Sequence, residues 1–199
     1  MTLSPLQIAR YKYEPKLPPV LKEHLSNVEI KMGAETQAVS DVEELKKLFP
    51  TTFGQPIASI TQGSSSASAE ALTVGVILSG GQAPGGHNVI AGLYDGLKKG
   101  NSNSRLLGFL GGPIGLIKGN YLELTDEIID QYRNTGGFDI IGSGRDKIET
   151  AEQLEMVANV ADKEGLNGIV VIGGDDSNTN AAVLAEFFQG KGTNTQVLG

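Results

Sequence analysis

The 199-residue sequence has no cysteine and only two histidines, His24 and His87. Without cysteine there are no disulfides, thiolate metal sites or thiol nucleophiles, and a reducing compartment is permitted. The histidines also limit the chemistry, because Ser79, Ser143 and Ser177 lack a visible histidine partner in the sequence. A hydrolase-type nucleophile therefore has no support.

Positive charge and long apolar runs are also scarce. The chain has 16 Lys and Arg against 23 Asp and Glu, a formal net charge of -7, which argues against nonspecific binding to nucleic acid or anionic membranes. No apolar run approaches membrane-spanning length, and the first 15 residues carry polar and charged side chains where a signal peptide would be apolar. We expect a soluble, cytoplasmic protein with neither nucleic-acid nor membrane partners.

Residues 1–72 are predicted to form an N-terminal arm that ends in a Ser-rich linker. Most of the eight prolines fall in this part, which shows two short helical candidates, Pro19–Leu25 and Asp41–Leu48, and no clear alternation of strands and helices. The linker, Gly63 to Ala69, has the composition of a poorly ordered loop. Several apolar side chains of the arm need cover from the body or from another chain. They are Leu17, Val20, Leu21, Leu45, Leu48 and Phe49.

Residues 73–199 are predicted to form an α/β domain. Apolar β-branched runs end in glycine-rich breaks and are followed by helical stretches, a pattern typical of a doubly wound parallel sheet covered by helices on both faces. The predicted strands are Val74–Leu78, Arg105–Leu110, Asp139–Ile141, Gly168–Ile172 and Thr195–Leu198. The predicted helices are Asn88–Lys99, Thr125–Arg133, Thr150–Glu164 and Asn178–Phe188. Ligands bind outside the carboxyl ends of such strands, so Gly80, Gly144 and Asp175 are expected to converge on one edge of the sheet.

The first candidate site is the glycine turn in the stretch Ser79–Asn88, which reads SGGQAPGGHN. Glycines allow close approach of a ligand to backbone N–H groups, and the following helix N-terminus favours an anion such as phosphate. The spacing matches neither G-x-G-x-x-G nor a nucleotide P-loop. A purely structural strand–helix turn is the alternative.

The second candidate is the pair Asp175 and Asp176, which follows a buried strand and two glycines. Adjacent carboxylates in a cleft repel each other unless a cation is present, and Mg²⁺ accepts one or two carboxylates while sharing its other positions with water and phosphates. The alternative is that one of the two aspartates caps the next helix.

The third candidate is Arg145, after the turn Gly142-Ser143-Gly144. A guanidinium offers a planar set of donors that suits phosphate oxygens. A surface arginine paired with Asp146 or Glu149 is the alternative.

Together, the stretches Ser79–Asn88 and Gly173–Thr179 resemble the phosphofructokinase family, and more narrowly its pyrophosphate-dependent, longer plant-like branch. Two motifs in this order, about ninety residues apart, are more specific than either alone. The resemblance runs from about Thr73 to the C-terminus. It implies a three-layer αβα fold, Mg²⁺ as cofactor, and reversible phosphoryl transfer between pyrophosphate and fructose 6-phosphate. It also implies assembly with itself or with a related subunit.

The resemblance assigns roles to individual residues. Gly80, Gly81, Gly174, Ser177 and Arg145 are expected to bind pyrophosphate, with Arg145 clamping the transferring group. Asp175 is expected to hold magnesium. Asp176 and Arg145 are the expected catalytic residues. The Asp176 carboxylate takes the place of an α-phosphate and so disfavours ATP.

The same resemblance leaves part of the site outside this sequence. The general base, in a Thr-Ile-Asp-Gly-Asp-like motif, is expected beyond Gly199, as are most sugar-phosphate contacts. The chain alone is therefore not expected to turn over. Two alternatives stay open: a non-catalytic regulatory subunit of the same fold, which would lack the metal carboxylate, and a dinucleotide-binding oxidoreductase, which the glycine spacing disfavours.

Overall fold

The structure is a computed structural model that describes residues 3–22, 27–63 and 70–199. His24, the end of the predicted helix Pro19–Leu25, and residues 64–69 of the predicted linker lie outside the described residues. The described beginning of that predicted helix, Pro19–Leu21, forms a single 3₁₀ turn.

Seven helices and eight strands are present in the described part of the chain. The helices are α1 (Pro5–Tyr11), α2 (Val42–Leu48), α3 (Gly86–Gly100), α4 (Pro113–Lys118), α5 (Asp126–Tyr132), α6 (Ala151–Glu164) and α7 (Asp175–Gly190). The strands are β1 (Val28–Glu35), β2 (Pro56–Gln62), β3 (Thr73–Ser79), β4 (Arg105–Phe109), β5 (Tyr121–Glu123), β6 (Ser143–Gly144), β7 (Gly168–Ile172) and β8 (Gln196–Leu198).

The main sheet has the order β5-β4-β3-β7-β8, and β6 pairs with β3. Strands β4 and β7 run parallel to β3, and β8 runs parallel to β7, as predicted. The two-residue β6, which was not predicted, is also parallel to β3. The doubly wound parallel sheet is therefore confirmed, and one edge carries an additional strand that was not predicted, β5, which is antiparallel to β4. The short α4 is all that separates the two strands, so the chain folds directly back beside β4. The strand order reverses at β3, which makes its carboxyl end the switch point where α/β sheets bind ligands.

Helices cover the sheet on both faces, which gives the predicted three layers. Alternation along β3 directs Ile77 to a core formed with α4, α6 and α7, and directs Val76 and Leu78 to a second core formed with α3 and α5. These three side chains are at most 1% exposed. The sheet is therefore fixed from both sides, and its loops at the carboxyl edge are held on a rigid frame.

Helix α6 shows why several sequence-based boundaries hold. Oγ1 of Thr150 accepts from the Gln153 N–H at 3.2 Å, and Oε1 of Gln153 accepts from the Thr150 N–H at 3.0 Å, which is a complete capping box. Gly165, with φ +66°, ends the helix in the left-handed conformation. Start and stop signals of this kind are local, so the sequence predicts them well.

The predicted strand Asp139–Ile141 is not a strand. The backbone N–H groups of Asp139 and Ile140 donate to the side chain of His87 instead of to a neighbouring strand. Sheet pairing starts later, at Ser143, and lasts two residues. The apolar character of Ile140 and Ile141 reflects burial in the second core and not strand formation.

The arm contains regular structure that the sequence did not reveal. Strands β1 and β2 form a separate antiparallel pair, with Ile30 opposite Ile60, although no strands were predicted there. The predicted helix Asp41–Leu48 is present as α2. Of the six apolar residues expected to be covered, four are partly buried within this chain, whereas Leu17 and Leu48 are 48% and 61% exposed. Cover of these two by another chain stays a prediction.

Polar contacts attach the arm to the α/β body at two places. The Glu186 carboxylate of α7 accepts hydrogen bonds from the N–H groups of Thr51 and Thr52 and from the Thr52 hydroxyl. On the opposite face, the Asn134 amide donates to the carbonyl oxygens of Arg10 and Tyr13. No helix in residues 3–22, 27–63 and 70–199 has the length and apolar character needed to cross a membrane.

Candidate active site

A cleft of about 740 Å³ opens at the carboxyl ends of β3 and β7. We call it the β3–β7 cleft. The glycine turn after β3 forms one wall, the turn Gly173–Ser177 forms the other, and Phe138 and Val89 supply apolar side chains. Its position at the switch point of the sheet is where an α/β fold places a ligand.

Gly80, Gly144 and Asp175 lie at the same edge of the sheet, as predicted. Gly80 directly follows β3, and its N–H donates to the carbonyl oxygen of Gly144 at 2.7 Å. Ser143 pairs with Leu78, whose other side pairs with Ile172 at the end of β7. Three separate glycine turns therefore meet around one strand end.

A fourth turn, Gly111-Gly112, packs beneath this meeting point. Gly112 has φ +81°, and a Cβ added there would lie 2.5 Å from the backbone nitrogen of Gly144. Only glycine satisfies both the conformation and the contact. The close contact thus fixes the position of the Gly144 backbone, and with it the position of Arg145, the next residue in the chain.

The two glycines before the aspartate pair have different roles. A Cβ on Gly173 would lie 2.5 Å from Oγ of Ser177 and 2.6 Å from the carbonyl oxygen of Ser79, so packing requires glycine there. Gly174 has an extended conformation with φ -86°, and an added Cβ would meet no atom within 4 Å. Packing does not explain Gly174, and the open space beside it belongs to the β3–β7 cleft.

Asp175 and Asp176 are the first two residues of α7, and the N-cap is Gly174. The helix-cap alternative is therefore wrong for both residues. Their carboxylates are exposed at the cleft wall in the first helical turn, close to the positive end of the helix dipole. An acidic pair that is not needed for capping remains available for a cation.

Arg145 lies over the glycine turn. A Cβ on Gly81 would lie 2.9 Å from Nη2 of Arg145, so the guanidinium rests directly against the Gly81 backbone. The surface-pair alternative is not observed: Glu149 pairs with Lys147 at 3.6 Å, and within the described part of the chain Arg145 makes no ion pair. A charged, unpaired fork of donors therefore faces the first wall of the cleft.

Ser177 also bonds to the opposite wall of the cleft. It is 7% exposed, and its hydroxyl donates to Oγ of Ser79 at 2.9 Å, linking the ends of β3 and β7. Ser177 and Ser79 both line the β3–β7 cleft. The partnership of the two hydroxyls was not predicted from the sequence.

His87 is a second residue whose place was not foreseen. Its Nε2 accepts from the N–H groups of Asp139 and Ile140 at 2.9 and 3.0 Å. Burial of the ring lowers the pKa of His87 below its ordinary 6.5, and the nearby Asp139 carboxylate offsets only part of that effect. Nothing in the local sequence indicates a partner 52 residues away.

Helices on both faces of a sheet, with glycine turns gathered at its switch point, define a doubly wound α/β domain. Residues 73–198 match the family model described as phosphofructokinase, and the chain belongs to the phosphofructokinase family.

The whole chain is 51% identical to a pyrophosphate–fructose 6-phosphate 1-phosphotransferase of Porphyromonas gingivalis, and covers 36% of that protein. It is 48% identical to the subunit beta 2 of the enzyme of that name from Arabidopsis thaliana, over 98% of this chain and 34% of that one. The chain thus spans about a third of the length of these relatives.

Among solved structures, the chain is similar to the pyrophosphate-dependent phosphofructokinase of Nitrosospira multiformis. The TM-score is 0.58 at 20% identity, over 64% of this chain and 33% of that one. At this level of identity the similarity shows a shared fold.

Proposed function

We propose that the protein to which this chain belongs transfers a phosphoryl group between pyrophosphate and fructose 6-phosphate, and that this chain supplies the donor side of the site. The observation that carries the proposal is one cleft at the switch point whose walls contain the Gly80-Gly81 turn and the Asp175-Asp176 pair, with the Arg145 guanidinium packed against Gly81. The names of the relatives support the substrates. In the reaction, a sugar hydroxyl oxygen bonds to phosphorus, the bridging P–O bond of pyrophosphate breaks, and orthophosphate leaves.

The chain's own contribution is positioning and charge stabilisation. Gly80 lines the site, but its N–H already donates to Gly144, so the backbone N–H groups of Gly81 and Gly174 are the donors for phosphate oxygens. Arg145 binds the transferring group from above the glycine turn. Ser177 lines the cleft beside these donors, and its bond to Ser79 also holds the two walls together. The proton of the sugar hydroxyl passes to a base expected beyond residue 199.

The acidic pair fits a magnesium ion that arrives with pyrophosphate. Among the described residues, no group of three or more His, Cys, Asp or Glu side chains could hold a metal ion. Mg²⁺ suits such a site because it is commonly bound by one or two carboxylates together with water and substrate phosphates. Asp175 would be its ligand, and the bound ion would neutralise charge that develops on the phosphoryl oxygens.

Asp176 is the proposed determinant of donor choice. Its carboxylate, next to the metal ligand on the same wall, occupies space and carries negative charge where a longer phosphate chain would extend. Pyrophosphate is accepted, and ATP is disfavoured by both bulk and repulsion. The regulatory-subunit alternative is less well supported, since Asp175 is present and faces the cleft.

The test uses the full-length protein and an assay of fructose 1,6-bisphosphate formation with pyrophosphate or ATP. We expect magnesium-dependent activity with pyrophosphate, and a loss of at least about 100-fold in kcat/KM for Asp175→Asn, since one charged metal ligand contributes several kcal/mol. Asp162→Asn, an exposed aspartate on α6, is the matched control. Calorimetric titration that detects NAD but not pyrophosphate would overturn the proposal in favour of a dinucleotide-binding protein.

A further inference from the structure

His87 joins the glycine turn after β3 to the segment Thr135–Ile140. Besides the two bonds to Nε2, Nδ1 lies 2.5 Å from Oγ1 of Thr135. Two backbone N–H groups on Nε2 require its lone pair, so the proton is assigned to Nδ1, which donates to the threonine. The Thr135 hydroxyl in turn donates to the carbonyl oxygen of Tyr132. Both ring nitrogens are thus engaged, and the imidazole is held neutral in one tautomer.

Backbone hydrogen bonds reinforce the same contact. The N–H of Gly85 donates to the carbonyl oxygen of Gly136 at 2.7 Å, and the N–H of His87 donates to that of Gly137 at 2.9 Å. Oδ1 of Asn88 accepts from the Gly136 N–H at 3.1 Å. The ring also fits closely, since a Cβ on Gly137 would lie 2.5 Å from Cε1 of His87. The first turn of α3 and the segment Thr135–Ile140 therefore form one hydrogen-bonded unit.

This unit lines one side of the β3–β7 cleft and leads along the chain to Arg145. Phe138, in the middle of the segment, is a wall of the cleft. The chain then continues through Ile141, whose carbonyl oxygen accepts from the Gly111 N–H at 2.9 Å, to Gly144 and Arg145. A shift of the segment would therefore displace the apolar wall and the arginine together.

We propose that His87 is a positioning residue for pyrophosphate: its neutral imidazole holds Phe138 and Arg145 in register with the glycine turn. The inference rests on the proposed function. His87 itself does not transfer a proton to substrate, because it is 3% exposed and both nitrogens are bonded within the protein.

Protonation of the ring would disrupt the unit. A proton on Nε2 removes the lone pair that accepts from Asp139 and Ile140 and leaves two backbone donors unsatisfied. The titratable groups that face the ring are Asp139, whose Oδ1 lies 3.0 Å from Nε2, and Tyr132, whose ring packs edge-on at 4.9 Å. The Asp139 carboxylate would pair with the protonated ring and so favour the state in which the bonds from the Asp139 and Ile140 N–H groups are broken.

The kinetic test compares wild type, His87→Gln and His87→Phe in the full-length protein, with rates expressed per folded molecule. Glutamine keeps an acceptor near the position of Nε2 but does not titrate, whereas phenylalanine keeps the bulk and has no acceptor. We expect His87→Phe to raise KM for pyrophosphate about tenfold or more with a smaller change in KM for fructose 6-phosphate, and His87→Gln to recover most of the loss. Equal kinetic constants in all three proteins would overturn the inference.

The pH profile separates positioning from a merely structural role. Below about pH 6.5 the wild type loses kcat/KM for pyrophosphate as His87 gains a proton, and His87→Gln lacks this component. Asp139→Asn moves the loss to lower pH, because the carboxylate favours the protonated ring. Profiles that coincide in wild type and His87→Gln would contradict the proposal.

A readout independent of activity completes the design. The amides of Asp139 and Ile140 are expected to lose at least tenfold in hydrogen-exchange protection in His87→Phe, while amides of the distant β1–β2 pair stay unchanged. If His87→Phe loses protection but the wild type has no pyrophosphate-dependent activity, the proposed function is refuted and the link between His87 and the segment stands. Unchanged protection in an active enzyme would refute the link alone.

Discussion

The hydroxyl of Ser177 and Oγ of Ser79 form a hydrogen bond of 2.9 Å between residues 98 positions apart in the chain. Each serine is 7% exposed, so water competes little for the pair. The bond ties the last residue of β3 to the first turn of α7. The two walls of the β3–β7 cleft are therefore coupled directly and not only through the sheet.

The first prediction concerns this pair. In a double-mutant cycle with Ser79→Ala and Ser177→Ala, we expect a coupling of about 1 kcal/mol in the free energy of unfolding, because each single change leaves the other hydroxyl buried without its partner. Urea unfolding of the full-length protein measures it. Ser177→Ala combined with Thr193→Ala, whose hydroxyl bonds to the Phe188 carbonyl, is the control and should be additive. Additivity in the serine cycle would show that the hydroxyls do not interact.

The second prediction compares two glycines with positive φ. Gly192→Ala, at φ +66° in open space, should cost about 1–2 kcal/mol from backbone strain alone. Gly112→Ala, at φ +81°, adds a clash with backbone atoms of Gly144, and should cost at least about 1 kcal/mol more. Thermal unfolding of both variants gives the difference. Because Gly144 precedes Arg145, Gly112→Ala should also raise KM for pyrophosphate, and equal effects of the two changes would contradict the packing described.

The third prediction concerns donor choice by Asp176. Asp176→Gly should improve use of ATP and impair use of pyrophosphate, whereas Asp175→Ala should damage use of both, because the metal serves either donor. A carboxylate about 4 Å from a phosphate oxygen is repelled by roughly 4 kcal/mol at an effective dielectric near 20. Even a quarter of that changes preference about fivefold. The measurement is the ratio of kcat/KM values for the two donors, and an unchanged ratio in Asp176→Gly would place donor choice elsewhere.

The fourth prediction concerns the attachment of the arm through Glu186. Burial tends to raise the pKa of this carboxyl, but hydrogen bonds from Thr52 and Thr51 outweigh it, so the pKa lies below the ordinary 4.5. A carboxyl with a lowered folded-state pKa contributes stability above its unfolded-state value and loses it as the pH falls through the folded-state value. Protection of the Thr51 and Thr52 amides should therefore decline below about pH 4.5.

Glu186→Gln tests that assignment. Loss of the charge should weaken the contact by about 1 kcal/mol, which lowers amide protection about fivefold at neutral pH and removes its decline in acid. Gln189→Glu, on the exposed side of the same helix, adds a carboxylate without this contact and serves as the control. A decline in acid that persists in Glu186→Gln would assign the pH dependence to another group.

Local signals in the sequence determined most of the α/β body. The β-branched runs of β3 and β7, the capping box at Thr150 and the glycine end of α6 depend on neighbours within a few residues, so their structure follows from the chain itself. The meeting of Gly80, Gly144 and Asp175 followed from one general rule, that parallel strands place their carboxyl ends together.

Tertiary structure decided the features that depend on distant partners. The run Asp139–Ile141 has the composition of a strand, but His87 accepts its N–H groups and holds it as a loop. The Ser177 hydroxyl is hydrogen-bonded to Ser79, across the cleft from its own turn. The sequence carries no local trace of either partner, because each lies 50 to 100 residues away and is brought close only when the sheet forms.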